Sequence, residues 1–215
     1  MAIPTSDIQV ANMALARIKQ RPISSIESPQ TPAEDSVALI YDQTRRKLLR
    51  SYIFNFPRKF LVLTVDGKKE PAFGYENAFK LPNDFIRLLA LGDITINADT
   101  PPSLYKMSEG YIFTDWEDDT DEINFYYVHD MKIVSKWDAL FVDLMKLQLA
   151  HDLAPDFGVP DSKVKRIAEE LREAKLGAAA VAGQEKPPRR IQRSRILNAR
   201  RMGGRSRDLT YLPPG

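Results

Sequence analysis

The residues that most often do chemistry are scarce here. The chain has no cysteine, so it holds no thiol nucleophile, no thiolate metal site and no disulfide framework. Its two histidines, His129 and His151, offer little for a histidine metal site. The ten glycines form neither a phosphate-cradling P-loop nor a dinucleotide fingerprint. No Gly-x-Ser-x-Gly elbow is present. Carboxylates are plentiful, as a two-carboxylate glycosidase needs, but they sit in one acidic run and on helix faces, and none is marked as a buried acid. The expectation is a non-enzymatic protein with no catalytic, cofactor or metal site.

Two charged segments remain. The first is acidic: Asp115, Glu117, Asp118, Asp119, Asp121 and Glu122, interrupted by Trp116 and Thr120. Calcium binding of the EF-hand kind needs a central glycine and a fixed ligand spacing, and both are missing, so a solvated hairpin loop is expected. The second is basic. Residues 184–215 hold nine basic and two acidic side chains, a net +7, whereas residues 1–183 hold 22 basic and 27 acidic, a net −5. Arg189, Arg190, Arg193, Arg195, Arg200, Arg201, Arg205 and Arg207 outnumber the lone Lys186. Arginine forks suit carboxylates and phosphates, and the interleaved Ile196, Leu197 and Tyr211 favour docking on a protein over purely electrostatic binding to DNA. With four prolines and three glycines in the same stretch, this segment reads as an extended arm that orders on a partner.

Periodicity supplies the elements that carry these segments. Ser6 and Gln9 read as a capping box for a first helix with Ile8, Ala11, Leu15 and Ile18 on one face, ended by Pro22. Thr31-Pro32-Ala33-Glu34 opens a second helix striped by Val37, Ile40, Tyr41, Leu48 and Tyr52 and closed by Pro57. Its Arg45, Arg46, Lys47 and Arg50 read as a solvated face near the negative end of the helix dipole. Short strands follow from Phe60 to Val128, with turns at Asp66-Gly67, Asn83-Asp84 and Glu109-Gly110. A third helix from Trp137 is apolar nearly all round and is therefore central. A fourth opens at Pro160-Asp161-Ser162 and runs to Gly183. The expected fold is α+β, mainly α. A four-helix bundle body (1–58 and 131–183) carries a small antiparallel β insertion (59–130) and the basic arm (184–215). No apolar run is long enough for a membrane span, and no signal peptide is expected.

Several short motifs recur in an order that has a likeness. They are Asn12-Met13-Ala14-Leu15-Ala16-Arg17-Ile18, Ile23-Ser24-Ser25-Ile26, Tyr41-Asp42, Arg46 to Arg50, and the aromatics Tyr52, Phe54 and Phe56. Phe79-Lys80-Leu81-Pro82-Asn83-Asp84-Phe85-x-Arg87 and Trp137-Asp138-x-Leu140-Phe141 complete the set. In this order they resemble the head-to-tail adaptor proteins of short-tailed phages, the tail tubular protein A family, over residues 5–180. The resemblance implies a virion protein of the phage neck, made in the host cytoplasm. It implies a ring of about twelve copies between the portal protein and the tail nozzle protein, with genomic DNA passing through the bore. On that basis the arm (Arg189 to Arg207, Tyr211) is expected on the portal or a neighbouring copy. Asp115, Trp116, Glu117, Asp118 and Asp119 are expected on the nozzle or an adjacent subunit. An acidic body suits a conduit, because a bore that neutralised phosphates would hold DNA through counterion release. The alternatives are a nucleic-acid-binding protein that uses the arm, with affinity falling steeply with salt, and a tail-associated cell-wall hydrolase with an essential Asp or Glu.

Overall fold

The computed structural model describes residues 4–115 and 121–184. Helix α1 (Asp7–Arg17) starts where Ser6 Oγ accepts from the Gln9 N–H. Gln9 Oε1 turns back to Thr5 rather than to Ser6. The helix stops well before Pro22: Lys19 enters the left-handed region at φ 59°, and the Gln20 N–H closes on the Leu15 carbonyl. Helix α2 (Pro32–Ser51) has the full capping box of Thr31 and Glu34. It too ends short of the proline, because the chain leaves helical geometry at Tyr52 and carries Phe54 and Phe56 onto Phe141, at 5.3 and 5.1 Å between ring centroids.

Among the described residues seven strands follow: β1 (Arg58–Thr64), β2 (Asn77–Lys80), β3 (Phe85–Leu91), β4 (Ile94–Thr95), β5 (Lys106–Ser108), β6 (Tyr111–Thr114) and β7 (Glu122–His129). They form two antiparallel sheets, ordered β1-β7-β3-β4 and β2-β6-β5. The β5–β6 hairpin turns through Glu109 (φ 51°) and Gly110 (φ 80°), the pair of positive φ angles that a two-residue primed turn demands. A short 3₁₀ turn (Val134–Lys136) leads into α3 (Ala139–Leu153), capped by Asp138, and α4 (Asp161–Gln184) completes the described chain.

The expected mainly helical four-helix bundle with a small β insertion is corrected. Four helices are present, but the described fold is a mixed α+β structure with two sheets. Helix α3 is the shared partner: α1, α2 and α4 each pack on it, while α2 also packs on β3 and β7. A sheet therefore occupies the flank of α2 where a bundle would place a helix. Leu89, Ile86 and Val128 join the helical core beside Val37, Leu48, Leu144 and Leu149. A second core lies among strands of both sheets, built from Leu63, Phe79, Leu88, Leu91, Ile112, Ile123, Phe125 and Tyr127.

The two parts are joined by a buried ion pair. Arg45, whose side chain is 2% exposed, donates from Nε and Nη2 to both oxygens of Asp130 (2.8 and 3.1 Å) and from Nη1 to Asp42 (2.6 Å). Burial works against the guanidinium charge, but the hydrogen bonds and the negative charges of Asp130 and Asp42 outweigh it and raise its pKa. Arg50 donates to the Ile86 carbonyl (2.9 Å), and Arg87 returns a bond to the Arg50 carbonyl (3.2 Å). The face of α2 expected to be solvated is exposed at Arg46, Lys47 and Arg50, but Arg45 is buried in the seam between helix and sheet, which Arg50 also bridges.

Removing one member of a buried pair strands the other, at a cost of about 3–5 kcal/mol. Arg45→Ala should lower unfolding free energy by that much in urea titration, and Arg45→Lys should recover only part because an ammonium has no planar fork. A loss under about 1 kcal/mol would show that the pair does not join the layers.

Candidate functional site

The arm residues expected to dock, Arg189, Arg190, Arg193, Arg195, Ile196, Leu197, Arg200, Arg201, Arg205, Arg207 and Tyr211, lie outside the described residues. So do Trp116, Glu117, Asp118 and Asp119. The borders of the acidic run are described. Asp115 is exposed, and its Oδ1 accepts the Glu76 N–H at 3.0 Å. At the other border Asp121 stands at φ 54°, and its carbonyl accepts the Val65 N–H at 3.0 Å. The segment is therefore anchored at both ends on the β region.

The buried or partly buried titratable groups are bound into the architecture. Glu34, buried at the start of α2, accepts from the N–H groups of Gln30, Thr31, Ser24 and Ser25 and from the Ser24 hydroxyl. The Gln30 and Ser24 bonds lead in pushing its carboxyl down to about 2. Asn12 grips the other end of the same loop: its Nδ2 donates to the Ile23 carbonyl and its Oδ1 accepts the Ile23 N–H. Asp84 holds β3 against β7, with Tyr127 donating to Oδ1 (2.9 Å) and Lys59 to Oδ2 (3.1 Å). Burial pushes the Asp84 carboxyl up, but these bonds outweigh it and the pKa falls. Burial raises Asp7, against the hydrogen bond it accepts from Tyr41.

His129 Nδ1 lies 3.8 Å from Asp84 Oδ2, and burial holds its pKa below the ordinary value, so the ring is mainly neutral at pH 7. His151 is 38% exposed beside Asp152. Among the described residues no group of three His, Cys, Asp or Glu is placed to hold a metal ion. No described helix is long and apolar enough to cross a membrane.

The surface with an evident capacity for binding was not marked as such in the sequence. Strand β1 is the edge of the larger sheet, and Phe60, Leu61 and Val62 on it are 60%, 36% and 44% exposed. Phe60 and Val62 share a face, opposite Tyr126 and Asn124 in the register with β7. Edge strands usually carry charges, prolines or bulges that discourage pairing, and here an apolar run stands in that place. The signal was the run itself, Phe60-Leu61-Val62-Leu63, too uniformly apolar to alternate as a half-buried strand does. Such an edge can take a strand from another chain through main-chain hydrogen bonds, with Phe60 and Val62 supplying apolar contact.

No protein-family model matches the chain, and no curated protein matches it. The likeness to the phage adaptors therefore rests on the ordered motifs alone. Their places in the fold are architectural. Asn12 and Ile23 close the first loop, Arg50 and Arg87 join α2 to β3, and Asp84 joins β3 to β7. Trp137 donates to the Met131 carbonyl and stacks edge-on against Phe141 at 4.9 Å.

Two measurements follow. Because the Glu34 pKa is depressed in the fold, its stabilisation is complete above the ordinary 4.5 and disappears as pH falls through 4.5 toward 2. Glu34→Gln should be clearly less stable than wild type at pH 7, with the gap closing by pH 2.5 in paired urea titrations. An unchanging gap would sink this assignment. For the edge, Val62→Lys should move stability by no more than about 0.5 kcal/mol and abolish the salt-insensitive part of any self-association in sedimentation velocity. Equal association by variant and wild type would remove β1 from the binding surface.

Proposed function

We propose that the chain is a structural adaptor of a short-tailed phage, forming a ring between portal and tail nozzle through which DNA passes. The observation that carries this reading is the order and spacing of the motifs from Asn12 to Phe141. The architecture is compatible with it. These motifs fix joints between helices and sheets, and the carboxylates of Glu34 and Asp84 are committed to structural bonds. A strand edge is left open for a protein neighbour.

In this reading no catalytic step or cofactor is required, and function resides in surfaces. The basic arm of residues 184–215 provides forks for carboxylates on the portal or a neighbouring copy, with Ile196, Leu197 and Tyr211 giving apolar burial. Ordering such an arm costs roughly 1–2 kcal/mol per residue in backbone entropy, so arginine pairing alone is insufficient and the apolar residues must be buried as well. The acidic body leaves DNA free to move, since few phosphates are neutralised at its surface. About twelve copies, the portal, the nozzle and the transiting DNA are the partners of this proposal, and the virion neck is its location.

The test is light scattering of the full chain alone, with the portal of the same phage, and with the arm removed at residue 187. The expected result is a large defined complex that requires both portal and arm. A chain that ignores the portal, or one that binds it equally well without the arm, would overturn the respective part of the proposal. Binding to duplex DNA that weakens steeply with salt, without portal binding, would favour the nucleic-acid reading instead.

A further inference from the structure

The end of α1 and the start of α4 enclose a cleft of about 450 Å³, lined by Ala16, Arg17, Lys19, Ser162, Lys163 and Arg166. Four of these six residues are cationic. Arg17 and Arg166 both pair with one carboxylate, Glu170, at 3.2 and 3.4 Å. Among the described residues no carboxylate pairs with Lys19 or Lys163. The cleft therefore carries excess positive charge in a body that is acidic as a whole. Burial, then the charges of Lys19 and Arg166, hold the Lys163 ammonium below its ordinary pKa, as expected where like charges face one another.

The strongest complementary charge in the chain is the acidic segment 115–122, with six carboxylates in eight residues. Its described borders belong to the β region of its own molecule, where Asp115 accepts the Glu76 N–H and the Asp121 carbonyl accepts the Val65 N–H. The neighbours of those borders, Leu63, Ile123 and Phe113, lie in the β region, whereas α1 and α4 pack in the helical core. Strand β7 alone places about 23 Å between Glu122 and His129, the neighbour of the helix-facing Asp130.

We propose that the cleft between α1 and α4 binds the acidic segment 115–122 of a second copy of this chain. The contact is heterologous: a basic surface on the helical part of one copy meets an acidic surface on the β part of the next. Contacts of that kind close into a ring when their rotation permits. The inference specifies a neighbour contact in the ring and rests on the adaptor reading for the ring, though not for the contact itself.

Two full-length variants test it. Lys163→Glu with Arg166→Glu takes the four cleft cations from +4 to a net 0, and Glu117→Lys with Asp118→Lys and Asp119→Lys takes the six-acid segment from −6 to a net 0. Each variant alone should lose salt-sensitive self-association in sedimentation velocity. An equimolar mixture should regain it as pairs, because the segment variant keeps the wild-type cleft and the cleft variant keeps the wild-type segment. A direct probe is a labelled peptide of residues 113–123. It should bind the wild-type chain in anisotropy at least about tenfold more tightly than it binds the cleft variant. The same peptide with Asn and Gln for its acids should not bind.

Circular dichroism melts establish that the variants are folded. Failure of the mixture to regain association, equal peptide binding by wild type and cleft variant, or tighter binding of duplex DNA than of the peptide would each overturn the contact. Loss of portal binding by the wild-type chain would instead count against the adaptor reading, leaving the peptide result to stand by itself.

Discussion

The Arg45–Asp130 pair is the interaction on which the arrangement of the two parts depends. Helix α2 and the end of β7 are 85 residues apart in sequence, and this pair fixes both the distance and the rotation between them. A guanidinium so buried is stable only with its donors satisfied, and Asp130 and Asp42 together take three of them. A slide or a rotation of α2 on the sheet would break the fork and leave charge in the interior. Apolar packing tolerates many registers, but a bidentate ion pair tolerates few. This is the physical sense in which Arg45 specifies the junction, beyond any net energy it contributes.

Around that junction the molecule is built from two cores with different partners. Helix α3 is buried over most of its surface because the other three helices share it, with Asp143, His151 and Asp152 left toward solvent, and Phe141 at its start is wrapped by Phe54, Phe56 and Trp137. The β region has its own apolar interior among strands of both sheets. Asp84 and the reciprocal bonds of Arg50 and Arg87 reinforce the seam between the cores. The polar residues quoted for the adaptor likeness therefore concentrate at joints. That placement leaves the binding work to surfaces made by strands, helix ends and charged segments.

Those surfaces divide by physical type. The β1 edge is apolar and offers unpaired main chain, so its contacts are short-range and insensitive to salt. The α1–α4 cleft and the acidic segment carry opposite charge, so their contact is long-range, orienting and screened within roughly 10 Å at 0.1 M salt. A charged contact that orients and an apolar contact that holds are complementary demands on the ring proposed for this chain.

Local order was legible in the sequence. The Thr31–Glu34 capping box, the primed turn at Glu109-Gly110, the strand from Ile123 to Val128 and the all-round apolar helix after Asp138 follow from residue type and spacing, because each depends on neighbours a few residues away. Helix ends were legible only in part. Prolines at 22 and 57 mark where helices cannot continue, but Lys19 and Tyr52 leave helical geometry sooner, drawn by loop closure and by the aromatic cluster. The bundle expectation failed at α2, since a row of cations looks the same in sequence whether it meets water or a buried Asp130. The open edge of β1 and the cleft between α1 and α4 likewise join residues that nothing local relates. Residue types and their spacing specify the elements, the absence of thiol chemistry and the opposite charges of the two segments. Which cations are buried, which strand edge stays open and which helix ends meet are settled by the tertiary fold, because each of these is a property of elements brought together across long stretches of chain.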